Sequence, residues 1–226
     1  MRIERPLGLS ELLAETVRVY GERFVSALGL GLPVAGAFVA TLYVHAALDV
    51  VVVSLAFTAT YAAAARFAAG DSIGEAWAQT LARLPTLLVL TVIVAVPFAL
   101  ALGQLYLFLV AAAWLGAMGF SIPVAMLERD PEATTWYSRL ESSLYGSVRL
   151  ARVELLHAIG VVCALVIAYI VLGIVLAAAL AGFADNEETV AVALSQVVLA
   201  PFFFLALSVL YFEQKARALS SRGERA

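Results

Sequence analysis

The chain has 226 residues, 63% of them hydrophobic and only 14% charged, with a net charge of −3. Soluble domains carry roughly 45–50% apolar and about 25% charged residues, so this composition argues against an ordinary water-soluble domain and points to a bilayer. The basic residues sit in short stretches between apolar runs, which leaves no basic surface for a nucleic acid.

The chain opens with LSELLAETVRVYGERF (9–24). Leu9, Leu12, Leu13, Val17, Tyr20 and Phe24 fall on one stripe of an amphipathic helix. Ser10 is the expected N-cap, with Glu11 in the positive first turn. Mixed charge ahead of a long apolar run does not resemble a cleaved export signal, so this segment is expected to be retained. Apolar runs follow at 24–48 and 50–69, broken only around Asp49. A tight hairpin is expected there, because one helix of about 45 residues would far exceed a hydrocarbon core of about 30 Å. Residues 71–84 (DSIGEAWAQTLARL) form a second amphipathic stretch, with Ser72 and Glu75 at capping-box spacing. Runs at 85–102 and 105–127 supply a third and fourth span. A third amphipathic stretch covers 130–154, with Asp130 as cap, Pro131 at the first helical position and Glu132 in the first turn. Its stripe is Trp136, Tyr137, Leu140, Leu144, Val148, Ala151 and Leu155. Runs at 155–183 and 190–212 complete six spans.

All 14 Lys and Arg residues lie before the first span, between or at the ends of spans two and three, between spans four and five, or after the sixth. The connections around Asp49, around Gln104 and at ADNEE (184–188) hold none. The positive-inside rule then puts both termini in the cytoplasm, which an even number of spans requires. The expected fold is all-α: a polytopic integral membrane protein with six transmembrane helices. It forms one domain, 1–226, built as three parallel repeats (about 1–70, 71–128 and 129–226) of amphipathic helix plus transmembrane hairpin. Arg18, Arg23, Trp77, Arg83, Trp136, Arg149 and Arg152 are the expected anchors at the membrane interface. The expected location is a prokaryotic cell (inner) membrane.

Ionisable groups near spans are candidate functional residues. His45 and Asp49, four apart, lie at the outer end of span one. Glu154 and His157 begin span five on the inner side and could meet Arg83 or Arg149. Gln196 lies inside span six beside Ser195 and suits an interhelical hydrogen bond. Asp185, Glu187 and Glu188 make an acidic outer loop. Pro33, Pro97, Pro123 and Pro201 fall inside spans and would kink them. Ala112/Gly116 and Gly173/Ala177/Ala181 offer small faces for close packing. Cys163, the single cysteine, sits among apolar residues and reads as a packing residue.

Three stretches carry a family resemblance: RPLGLSELLAETVRVYGERF (5–24), PEATTWYSRLESSLYGSVRLARVELLHAIG (131–160) and PFFFLALSVLYFEQKAR (201–217). They resemble a broad group of prokaryotic membrane proteins related to the membrane domain that precedes the catalytic domain of some glycerophosphodiester phosphodiesterases. The Tyr211, Phe212, Glu213, Lys215 ending belongs to that resemblance. It implies a six-span module without a reaction of its own, since in the fused relatives the chemistry belongs to a separate soluble barrel.

No Walker loop, HExxH, GxSxG or Cys/His cluster is present in the sequence, so no cofactor, metal site or catalytic residue is expected. The leading reading is a non-enzymatic membrane module that binds lipid or a partner protein in envelope assembly or transport. Its partners would be membrane lipids, a second membrane protein or further copies of itself. The alternative is a small transporter or channel for a small molecule or lipid. A third reading, a lipid-modifying enzyme at the inner interface, would use Arg152, Glu154 and His157.

Overall fold

The computed structural model describes residues 3, 6–43, 45–97, 100, 107–128, 135–181 and 188–223. Among these, every regular element is helical. In chain order they are α1 (Leu9–Glu22), α2 (Phe24–Ala40), α3 (Ala46–Ala69), α4 (Ile73–Ala82) and α5 (Leu84–Leu90). A π-helical turn at Thr91–Ala95 continues α5. Then come α6 (Phe108–Met118), α7 (Ser121–Leu127), α8 (Trp136–Ala151), α9 (Leu155–Ala181) and α10 (Glu188–Gly223). Four stretches are long and apolar enough to cross a membrane: Leu48–Ala69, Leu109–Leu127, Leu155–Leu180 and Val190–Ser221. Two bent pairs raise the number to six if each is one span: α1 with α2, at 99°, and α4 with α5 and its π turn, at 78°.

Several boundaries differ from the sequence expectation for local reasons. Gly8, not Ser10, caps α1, and the Glu11 carboxylate accepts the Gly8 N–H at 3.0 Å. α2 ends at Ala40 and α3 begins at Ala46, so the first hairpin comes before Asp49 and not at it. Thr41 Oγ1 donates to Phe38 O at 2.6 Å as α2 ends. His45, in extended backbone, then caps α3, whose first turn holds Asp49 at its positive end. The third amphipathic helix starts at Trp136. Thr135 caps it, accepting from Ser138 N, whereas Asp130, Pro131 and Glu132 lie outside the described residues. The expected Ser72/Glu75 capping box is formed on α4. α10 runs well past 212, and Glu213, Lys215 and Arg217 on this extension find partners.

α3 ends on a Schellman motif. Gly70, at φ 117°, donates to Phe67 O, and Asp71 N donates to Arg66 O. Arg66 and Asp71 then pair at 2.6 Å, which turns the chain into α4.

α10 is the centre of the bundle and packs on α1, α2, α3 and α9. Residues 203–211 are all buried. Nine successive buried positions exceed two helical turns, so protein covers this helix on every side. α9 is the opposite case. Its second half, 167–180, holds no buried residue, and Ile167, Ile170, Val171, Leu172, Ile174 and Val175 are exposed.

Two prolines in the apolar region leave a carbonyl one turn earlier without its usual helical donor. Pro97 lacks the N–H that an α-helix would direct at Ile93 O, and Trp114 Nε1 donates to that carbonyl at 3.1 Å. Pro201 likewise cannot serve Val197 O. Gly31 of α2 packs directly there: a Cβ at this position would lie 2.4 Å from Val197 O. Gly116 approaches Ile159 of α9, where a Cβ would lie 3.2 Å from the Ile159 side chain.

Gly31→Ala is expected to force α2 off α10 and to destabilise by about 1–3 kcal/mol, the usual range for overpacking. Gly36→Ala, on the same helix with open space around it, is expected to be neutral or to stabilise by up to about 1 kcal/mol. Thermal unfolding of both variants in one detergent checks the contrast.

Candidate functional site

The polar chemistry gathers where α7 ends, α9 begins and α10 finishes. α10 carries Tyr211 and Lys215 one turn apart, and Glu213 and Arg217 one turn apart, so two pairs point to neighbouring sides of one helix. Tyr211 OH and Lys215 Nζ both donate to Glu128 Oε1, each at 3.0 Å. Lys215 Nζ also lies 5.8 Å from the Tyr211 ring centre.

The second pair is deeper. Glu213 and Gln214 are both fully buried. Arg217 donates to the Glu213 carboxylate, to the Glu154 carboxylate and, at 3.1 Å, to Leu7 O. His157 Nε2 lies 3.5 Å from Arg217 Nη2 and 3.8 Å from Glu213 Oε2. Gln214 Nε2 donates to Glu213 Oε2 at 3.1 Å. One guanidinium therefore ties the start of α9, the end of α10 and the stretch leading into α1 together. Its planar fork suits this, since several donors work at once. Glu154 and His157 thus come together as a unit, but on Arg217 and Glu213 rather than on Arg83 or Arg149. Arg83 instead donates to Ala125 O.

A second polar feature lies where α1 bends into α2. Glu15, Arg18, Val19, Glu22 and Arg23 form one wall of a cleft of about 190 Å³, and Phe67, Ala68 and Gly70 at the end of α3 form the other. Arg18 bridges Glu15 at 2.5 Å and Glu22 at 2.7 Å. Hydrogen bonding from Arg18 holds the Glu15 carboxyl below the usual carboxylate range, and the two carboxylates raise the Arg18 pKa in return. The stabilisation from Glu15 is therefore present above the ordinary carboxylate pKa and is lost as pH falls through the lowered one. Arg23 lies over the Phe67 ring at 5.3 Å and donates to Asp71 O at 3.3 Å.

The other sequence candidates stay apart from these two features. His45 is exposed, and no hydrogen bond joins its side chain to Asp49 among the described residues. Asp49 keeps a buried Oδ1 without a hydrogen-bond partner. Gln196 accepts from Tyr169 OH, which joins α9 to α10, and donates to Ser195 Oγ at 3.3 Å. Trp77 packs against the core, while Trp136, Arg149 and Arg152 are exposed. Gln104, Asp185 and Glu187 lie outside the described residues. Among the described residues, no three His, Cys, Asp or Glu side chains group closely enough to hold a metal ion.

Glu128, Gln214 and Arg217 are absent from the sequence candidates, and Glu213 enters there only through the family resemblance. The i, i+4 acid–base spacing of Glu213 and Arg217 was the available signal, but it lies just beyond the apolar run and reads there as a solvated helix end. No protein family, curated protein or solved structure matches this chain.

Removing Glu213 leaves Arg217 without its buried partner. Glu213→Ala is expected to destabilise by about 3–5 kcal/mol, the usual result of breaking a buried pair from one side. Glu154→Ala, at the exposed rim of the same network, is expected to stay within about 1 kcal/mol of the parent. Equilibrium unfolding of the two variants separates these values.

Proposed function

We propose that this chain is a non-enzymatic integral membrane module that holds lipid at a charged inner face. In this reading, three parallel repeats each place an amphipathic helix at that face and a hairpin through the bilayer, with both termini in the cytoplasm of a prokaryotic cell membrane. The observation that carries it is the division of the molecule. Charged pairs collect where α1 bends into α2, by 99°, and where α10 ends. Among the described residues, the contacts between the helices are mainly apolar. A void lined by Phe57, Thr58, Tyr61, Val94, Leu115 and Phe203 measures about 20 Å³, room for one water at most.

Two further points support this reading over catalysis. Glu154 and His157 are taken up by Arg217 and Glu213, which is a structural use. The resemblance to the membrane domain of some glycerophosphodiester phosphodiesterases also fits a module that carries no chemistry itself. The exposed half of α9 would face lipid, a partner membrane protein or a second copy.

Transport is the second reading. It is favoured by the π turn at Thr91–Ala95 beside Pro97 and by the break between α6 and α7 beside Pro123, since discontinuous helices are how many transporters build midplane sites.

Native mass spectrometry of the protein extracted gently from its host membrane tests the proposal. Retained lipid, with no substrate flux in liposomes, is the expected result. A stoichiometric second protein and no lipid would move the assignment to a partner-binding module, and substrate-specific flux would establish transport instead. Sidedness is checked separately. A fluorescent protein fused after residue 226 is expected to fluoresce, and alkaline phosphatase at the same place is expected to be inactive.

A further inference from the structure

We propose that the cleft between α1 and the end of α3 binds the headgroup of a phospholipid that carries both a phosphate and a primary ammonium, with the phosphate on Arg23 and the ammonium on Glu22. This rests on the lipid-binding reading above and names the lipid class. Arg23 is the starting point. Its guanidinium makes one hydrogen bond, of 3.3 Å, to a carbonyl and stacks over Phe67. Among the described residues it has no carboxylate partner. A guanidinium of this kind offers a planar fork that matches phosphate oxygens.

The rest of the cleft excludes a simple anion. Glu15 and Glu22 line the same wall, and a free phosphate dianion on Arg23 would meet two carboxylates. Arg18 offsets one of those charges but is held by both. With Arg23, the four groups sum to zero, and a zwitterion matches that balance. Glu22 spends one oxygen on Arg18 Nη1, and its side chain is 58% exposed, so it keeps accepting capacity for an ammonium. The position also fits. The cleft lies at the end of the stretch Leu48–Ala69, which is apolar enough to span a membrane. Exposed Val17, Phe24 and Val25 beside the bend give acyl chains an apolar surface to follow.

The intact protein is placed in nanodiscs holding equal parts of phosphatidylethanolamine, phosphatidylcholine and phosphatidylglycerol, and retained lipids are counted by native mass spectrometry. Phosphatidylethanolamine is expected to exceed phosphatidylcholine by roughly tenfold, the worth of one charge-assisted hydrogen bond that a trimethylammonium cannot make. Glu22→Gln, an exposed isosteric change, is expected to reduce that ratio several-fold. Arg23→Gln is expected to lower retention of phosphatidylethanolamine itself. Lipid retained without headgroup preference, or a preference for phosphatidylglycerol, overturns the assignment while leaving the lipid-binding module intact. Retention of no lipid overturns both. Displacement of the bound lipid by an equal concentration of soluble phosphoethanolamine overturns the membrane source of the ligand.

Discussion

The structure depends on enclosing α10. A helix buried all round must be apolar all round, and residues 201–211, PFFFLALSVLY, meet that demand with a single serine. Ser208 returns its hydroxyl to Phe204 O at 2.7 Å, so it adds no unpaired group. Immediately beyond lies the reverse situation, a fully buried carboxylate at Glu213. Burying that charge is costly unless it is paired, and Arg217 supplies the pair from the same helix. Because Arg217 also reaches Glu154 and Leu7 O, the pairing fixes where α9 starts and how the chain enters α1. The core and the charged end are therefore one arrangement.

α1 illustrates how this arrangement uses amphipathicity. The helix is pinned to α10 through Arg217 on Leu7 O and through Tyr20 OH on Val198 O at 3.0 Å. Leu12 and Thr16 are fully buried, and Tyr20 packs edge-on against Phe24 and Phe202. The apolar stripe thus divides. Its centre covers protein, while Leu9, Val17 and Phe24 stay exposed and could meet a bilayer surface. The polar face keeps the Glu15–Arg18–Glu22 chain and, with Arg23, one wall of the cleft.

The helical fold and its apolar stretches were legible in the sequence, because runs of eighteen or more apolar residues have few other solutions. The Ser72/Glu75 cap was legible for the same reason that it works, a local reciprocal bond. The sequence pattern puts the first hairpin too late because Asp49 looks like a break, although an acid in the first turn of a helix stabilises it. Gly31 gave no signal. It is one of several glycines in α2, and only the close approach of the α10 backbone at Gln196 and Val197, far away in sequence, makes it special. Arg217 was hidden likewise, since its partners include Leu7, Glu154 and His157, and no sequence spacing joins these to it. His157 and Glu154 stood out as polar residues at the mouth of a span, but their partners could be named only from the packing of α9 on α10.

Photolabelling with a diazirine-bearing lipid in reconstituted membranes tests the central arrangement most directly. The account predicts heavy labelling across Ile167, Ile170, Leu172, Ile174 and Val175 of α9 and essentially none on residues 203–211 of α10. Comparable labelling of 203–211 would contradict it, because α10 would then face lipid and could not be the enclosed centre of the bundle.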